Sequence, residues 1–156
     1  MKKKKNYRRG AAALEVSLVL GVFLMTTMGM FDFGRAVFLQ HVLTHAARQG
    51  ARRAIVHGQL AKSPWGTTQI SDYANSSGTD AIVNGANDGI AKMLVGCNLS
   101  NTLITVNWNL NGSSGTGASN AVGANVRVTV SSPYTPIMPF LSGGTLTAAS
   151  TMQITH

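Results

Sequence analysis

Residues 8–31 read RRGAAALEVSLVLGVFLMTTMGMF, and the reading of this stretch decides the fold. From Ala11 to Phe31 there are 21 positions and one ionisable group, Glu15. At about 1.5 Å per residue a helix of that length covers about 30 Å, the thickness of a bilayer's hydrocarbon core. The block in front is cationic, with Lys2, Lys3, Lys4, Lys5, Arg8 and Arg9 in the first nine residues. Such charge stays cytoplasmic, which places the rest of the chain across the membrane. A cleaved secretory signal has the same basic start, but its apolar core is shorter. It also ends in a small-x-small site, which is missing before Phe31-Asp32-Phe33. A plain signal anchor leaves Glu15 to be accounted for. An acid costs about 2.5–3.5 kcal/mol at the centre of a membrane helix and less near an end. Lying one turn inside, Glu15 can snorkel toward the headgroups.

The segment after the span, FDFGRAVFLQHVLTHAARQGARRAIVHG, has no proline and keeps a helical rhythm. Leu39, Val42, Leu43, Ala46, Ala47, Gly50, Ala54 and Ile55 fall near one face. His41, His45, Arg48 and Arg52 stack along another. One helix is therefore expected over residues 11–57, half in lipid and half amphipathic, with Gly58 and Pro64 as its stop. His41 and His45 are one turn apart, a spacing seen in zinc sites, but no acid or cysteine accompanies them and a solvated face is the expected reading.

Residues 58–79 read as a connector that Trp65 and Tyr73 could pin down. DAIVNGANDGIAKMLVG (80–96) reads as a second helix, with Thr79 or Asp80 as N-cap and Ile82, Val83, Ala86, Ile90, Met93 and Leu94 inward. Its three glycines each cost about 1 kcal/mol relative to alanine. The period then changes to two. Ile104, Val106 and Trp108 share a side, as do Val126, Val128 and Val130, and then Leu146, Ala148, Ser150, Met152 and Ile154. Three half-buried antiparallel strands covered by helix on one face are expected. Between the first two lies the polar loop NGSSGTGASNAVG, a slack connector or a partner surface. Between the last two, Pro133, Pro136 and Pro139 stiffen SPYTPIMPFLSGG. Its Ile137, Met138, Phe140 and Leu141 either pack over the sheet or dock to a neighbouring subunit.

The fold class is thus α+β: a long N-terminal helix, then a small domain with one helix on a three-stranded antiparallel sheet. The segments are 1–10, 11–57, 58–79 and 80–156. The net charge of +8 does not indicate a nucleic-acid surface, because beyond residue 10 seven Lys and Arg face five acids. Cys97 is the single cysteine, a buried thiol or the site of an intermolecular disulfide. No phosphate-binding glycine loop, catalytic triad, metal or cofactor motif is present, and no enzyme is expected.

A basic leader, then Gly10, then an apolar helix with Glu at the fifth position resembles a type IV prepilin or pseudopilin. The runs Gly29-Met-Phe-Asp-Phe-Gly-Arg35 and Ala46-Ala-Arg-Gln-Gly-Ala-Arg52 resemble the TadE-like proteins of Tad (Flp) pilus loci. The run from Val126 to Phe140 and the Thr-rich strand after it are similar to the end of those proteins. Where the Tad-type pattern commonly has an aromatic after Glu, this chain has Val16. The resemblance implies that a membrane prepilin peptidase cuts between Gly10 and Ala11, making Glu15 the fifth residue of the mature chain. Glu15 would then pair with a neighbouring subunit's new amino terminus and set register. Asp32, Gly34, Arg35, Arg48, Gly50 and Arg52 would be the family's helix motif. The implied role is a minor pseudopilin in the bacterial inner membrane, N-terminus cytoplasmic and domain periplasmic or carried into a pilus. Its expected partners are the peptidase, other pilins and pseudopilins, the pilus assembly machinery and membrane lipid, with no nucleic acid. An unprocessed, membrane-anchored binding module is the alternative, with Arg48, Arg52 and Arg53 turned to anionic lipid or glycan.

Overall fold

Forty-nine residues without a proline carry one unbroken helix, α1 (Arg8–Val56), in the computed structural model. At the helical rise it is about 74 Å long. The structure describes residues 8–62, 64–65, 70–74, 90–108, 119–138 and 142–155. The N-terminal half of α1 is long and apolar enough to cross a membrane, and its most apolar stretch is uncovered by the rest of the chain. Its hydroxyl side chains are satisfied within the helix. Ser17 donates to the Leu14 carbonyl at 2.8 Å, and Thr26 and Thr27 donate to that of Phe23 at 2.9 and 2.8 Å. Those bonds leave Glu15 as the one unpaired polar side chain facing outward between Ala11 and Phe31.

The C-terminal half of α1 buries Leu39, Leu43, Ala46, Ala47, Gly50, Ala51 and Ala54 against an antiparallel sheet. Because most of these side chains are small, the helix backbone lies close over the sheet. The strands are β1 (Ile70–Tyr73), β2 (Leu103–Asn107), β3 (Asn125–Tyr134) and β4 (Gly144–Gln153), ordered β1-β2-β3-β4. Register runs Ile70↔Val106 and Tyr73↔Leu103, then Leu103↔Ser131 and Asn107↔Arg127, then Asn125↔Gln153 and Tyr134↔Gly144. The inward sets expected from alternation are the core: Ile104, Val106, Trp108, Val126, Val128 and Val130 are fully buried, and Ala148 and Ile154 nearly so. Trp108 Nε1 is buried without a hydrogen-bond partner. Trp65 pins the connector, stacked on His57 at 4.3 Å and edge-on to Trp108 at 6.4 Å.

Two expectations are corrected. The sheet has four strands, because β1 forms inside the stretch read as connector. Among the described residues α1 packs on the sheet, over β3 and β4, and Ile90–Met93, within the stretch read as a second helix, is a 3₁₀ turn. That turn still buries Ile90, with Leu94 following it into the core. Residues 80–89 of the expected second helix lie outside the described residues, as do 75–79 of the connector and 111–118 of the polar loop.

β3 and β4 continue beyond the end of β2, since Ser132, Pro133 and Tyr134 pair only with Leu146, Thr145 and Gly144. Pro133 therefore sits where its strand has a neighbour on one side, the position a residue lacking N–H tolerates. The result is a two-stranded arm pointing along α1 toward its apolar half. Gly143 closes the arm's neck, for a Cβ there would meet the Tyr134 carbonyl oxygen at 2.8 Å.

Candidate functional site

The arm meets α1 at Asp32, one residue past the apolar span. Its sequence neighbours Phe31 and Phe33 are exposed, whereas Asp32 is 2% exposed. The backbone N–H of Ile137 donates to both carboxylate oxygens at 3.0 and 3.1 Å, and that of Met138 to Oδ2 at 2.9 Å. Tyr134 places its hydroxyl 2.8 Å from the Asp32 carbonyl, to which it donates, and 3.5 Å from Oδ1. One turn on, Arg35 donates to the Thr135 carbonyl at 3.1 Å and lies over the Tyr134 ring at 5.5 Å. Gln40 donates to the Thr147 carbonyl at 3.2 Å, tying β4 to the same helix. The three side chains thus fix the arm's descent along α1.

Charge follows geometry here. The Ile137 and Met138 amides hold the Asp32 carboxyl below its ordinary value, against the opposing effect of burial, and Tyr134 and Arg35 add to the lowering. Burial, and then the nearby carboxylate, push the Tyr134 phenol up. Both groups keep the protonation state that the contact needs, and a carboxylate accepting backbone N–H bonds is a strong arrangement. The contact joins the arm to α1.

The structure brings together Asp32 and Arg35 and leaves the other motif residues elsewhere. Gly50 is in the core, where a Cβ would lie 2.6 Å from Ile90 Cδ1 and 3.0 Å from Val128 Cγ1. Gly34 has open space around it. Arg48 and Arg52 are exposed on the helix face away from the sheet, in line with exposed His41 and His45. Among the described residues no group of three potential metal ligands occurs. Glu15 is exposed on the bare half of α1, and Gly10 and Ala11 are exposed in its first turns, with nothing near Gly10. Lys2, Lys3, Lys4 and Lys5 lie outside the described residues, as do the side chains of Arg8 and Arg9. Cys97 is half-buried beside Ser132, and burial raises its thiol.

Residues 10–52 match the family model for the TadE-like protein. The helix of this chain is similar to that of TadE-like proteins. That match and the bare apolar helix fit a Tad pilus-associated protein. No curated protein and no solved structure matches the chain. The TadE-like match includes Asp32 and Arg35 but stops well short of Tyr134, Ile137 and Met138, so the other half of the joint is assigned by geometry alone. The sequence carried a signal for it: a carboxylate at the edge of an apolar span calls for donors.

Proposed function

We propose that this TadE-like chain is a minor pseudopilin that works in assembly or initiation of a Tad/Flp-type pilus for adhesion. A prepilin peptidase cuts between Gly10 and Ala11 on the cytoplasmic face of the bacterial inner membrane, and the sheet domain sits in the periplasm or enters the filament. The observation that carries this reading is the bare apolar helix with one acid, Glu15, four residues beyond Ala11. The scissile bond lies near the start of α1, where N–H groups lack helical partners and the chain opens most readily. Cleavage creates an amine that a neighbouring copy of the helix can set against Glu15. At 4 Å such a pair attracts by about 4 kcal/mol at an effective dielectric near 20, enough to offset an acid held in lipid. Its main effect is on register, because an unmatched acid is penalised.

Intact mass of the membrane-extracted protein is the test. The mature chain is expected to begin at Ala11, and Gly10→Leu is expected to leave only the full-length species. A shortened band from that variant removes the cleavage step. Glu15→Ala is expected to be processed normally yet to lower pilus number on the order of tenfold or more; normal piliation would remove the register role.

One observation favours the unprocessed binding module, the exposed stripe of His41, His45, Arg48 and Arg52. Arg48 and Arg52 stand roughly 24 and 30 Å along the helix from Asp32, beyond headgroup reach if α1 is upright. On that reading the stripe contacts an anionic glycan or protein, and the intact mass retains the leader.

A further inference from the structure

We propose that the turn at Ile137 and Met138 is a second membrane contact, held by Asp32 in the lipid interface at the far end of the span. The inference rests on reading the N-terminal half of α1 as membrane-spanning.

The helix is a ruler for depth. Thr135 is tied to Arg35, Tyr134 to Asp32, and Met138 Sδ lies 3.8 Å from where a Cβ on Gly29 would be. The segment therefore descends from the level of residue 35 to that of residue 29, roughly 9 Å at the helical rise. Gly29 belongs to the apolar span. Exposed large apolar residues continue past it along α1: Phe33 is 71% exposed and Phe38 54%. From Ala11 to Phe38 is about 41 Å, close to the thickness of a bilayer with its headgroup layers. With residues 11–31 filling the hydrocarbon core, the levels from Asp32 to about residue 36 fall in the interfacial layer, and Ile137, 67% exposed and bonded to Asp32, lies at its inner edge.

The polar groups agree with that depth. Irregular backbone in or near hydrocarbon needs its N–H and C=O groups satisfied by protein. The two N–H groups at the tip go to the Asp32 carboxylate and the Thr135 carbonyl to Arg35. What remains outward at Ile137 is a hydrocarbon side chain. The occupant is lipid because the bilayer surrounds the spanning helix at the depth of Gly29 to Asp32, where Met138 and Ile137 are held.

The test uses the full chain with Cys97→Ser, reconstituted in phosphatidylcholine–phosphatidylglycerol vesicles. Single cysteines are introduced by Ile137→Cys, Val19→Cys or Thr151→Cys and carry an environment-sensitive fluorophore. The label at position 137 is expected to be quenched by lipid bearing a shallow doxyl group, and the label at position 19 by lipid bearing a deep one. The label at position 137 should be several-fold less sensitive to aqueous iodide than the label at position 151. Adding Asp32→Ala should move position 137 from doxyl to iodide quenching and leave position 19 unchanged. Doxyl quenching at 19 with full iodide access at 137 overturns the contact and leaves the span standing. Protection of 137 from both quenchers means a protein subunit covers the patch, and this also overturns it. Absence of doxyl quenching at both positions removes the span and the inference together.

Discussion

Asp32→Ala is expected to release Ile137 and Met138 from α1 while the sheet stays folded. The carboxylate is the acceptor for two successive amides, whereas the Tyr134 hydroxyl donates to the Asp32 carbonyl, which the substitution keeps, so truncation leaves the part-buried Ile137 and Met138 donors without their acceptor. An orphaned buried donor costs more than the net worth of the bond it lost. The core below does not depend on it: β3 and β4 remain paired from Asn125↔Gln153 upward, and Val126, Val128 and Val130 keep their helix cover. Hydrogen exchange separates the two regions. Exchange at Ile137 and Met138 is expected to rise on the order of tenfold or more, with Val128 and Val130 unchanged. Equal acceleration at all four would mean that Asp32 supports the whole domain and not a local joint. Asp32→Asn should fall between, since an amide offers one acceptor oxygen and no charge.

The same joint has a pH window with a definite sign. Asp32 is lowered in the fold, so its contribution is complete above its unfolded value near 4 and is lost as pH falls through the lower folded value. Tyr134 is raised, so its contribution is complete below about 10 and is lost as pH rises through the higher folded value. Exchange at Ile137 and Met138, corrected for intrinsic rates, should stay slow between about pH 4 and 10 and quicken on either side.

What the sequence made legible follows from how local each signal is. α1 was readable because an apolar run passes without a break into i, i+3, i+4 spacing, and β2, β3 and β4 because each alternates over several residues. β1 was not, for Ile-Ser-Asp-Tyr offers Ile70 as its one aliphatic contact, and pairing with Leu103–Val106 defines it as a strand. Ile90–Met93 carried the right apolar residues, but the tight packing of Ile90 against Gly50 is a tertiary fact that fixes a 3₁₀ turn there. Asp32 and the Tyr134–Met138 run were each distinctive, yet 105 residues separate Asp32 from Ile137, and no periodicity pairs groups so distant.

Gly50→Val is expected to be the most damaging single change in the core. Glycine inside a helix is a liability by propensity, about 1 kcal/mol against alanine, so a glycine in the middle of α1 has to be repaid by packing. The repayment is visible in the distances. A Cβ would come within 2.6 Å of Ile90 Cδ1, the movable end of a side chain, and 3.0 Å from Val128 Cγ1. Val128 has far less freedom: it is β-branched, fully buried, and pinned between Val106 and Ser150 in the centre of the sheet. Alanine at position 50 therefore sets a propensity gain of about 1 kcal/mol against an overpacking cost of about 1–3 kcal/mol, leaving a modest loss. Valine adds two methyl groups to the same gap and loses χ1 freedom on the helix, so the loss should reach about 3 kcal/mol or more. For a domain of this size that lowers Tm by roughly 10 °C or more, readable by circular dichroism of the sheet signal in detergent. A paired change tests the cause: Ile90→Ala clears the nearer contact but leaves Val128 in place, so it should rescue Gly50→Ala and only partly rescue Gly50→Val. Full rescue of both would place the constraint in the 3₁₀ turn alone and leave the helix–sheet spacing undetermined by Gly50.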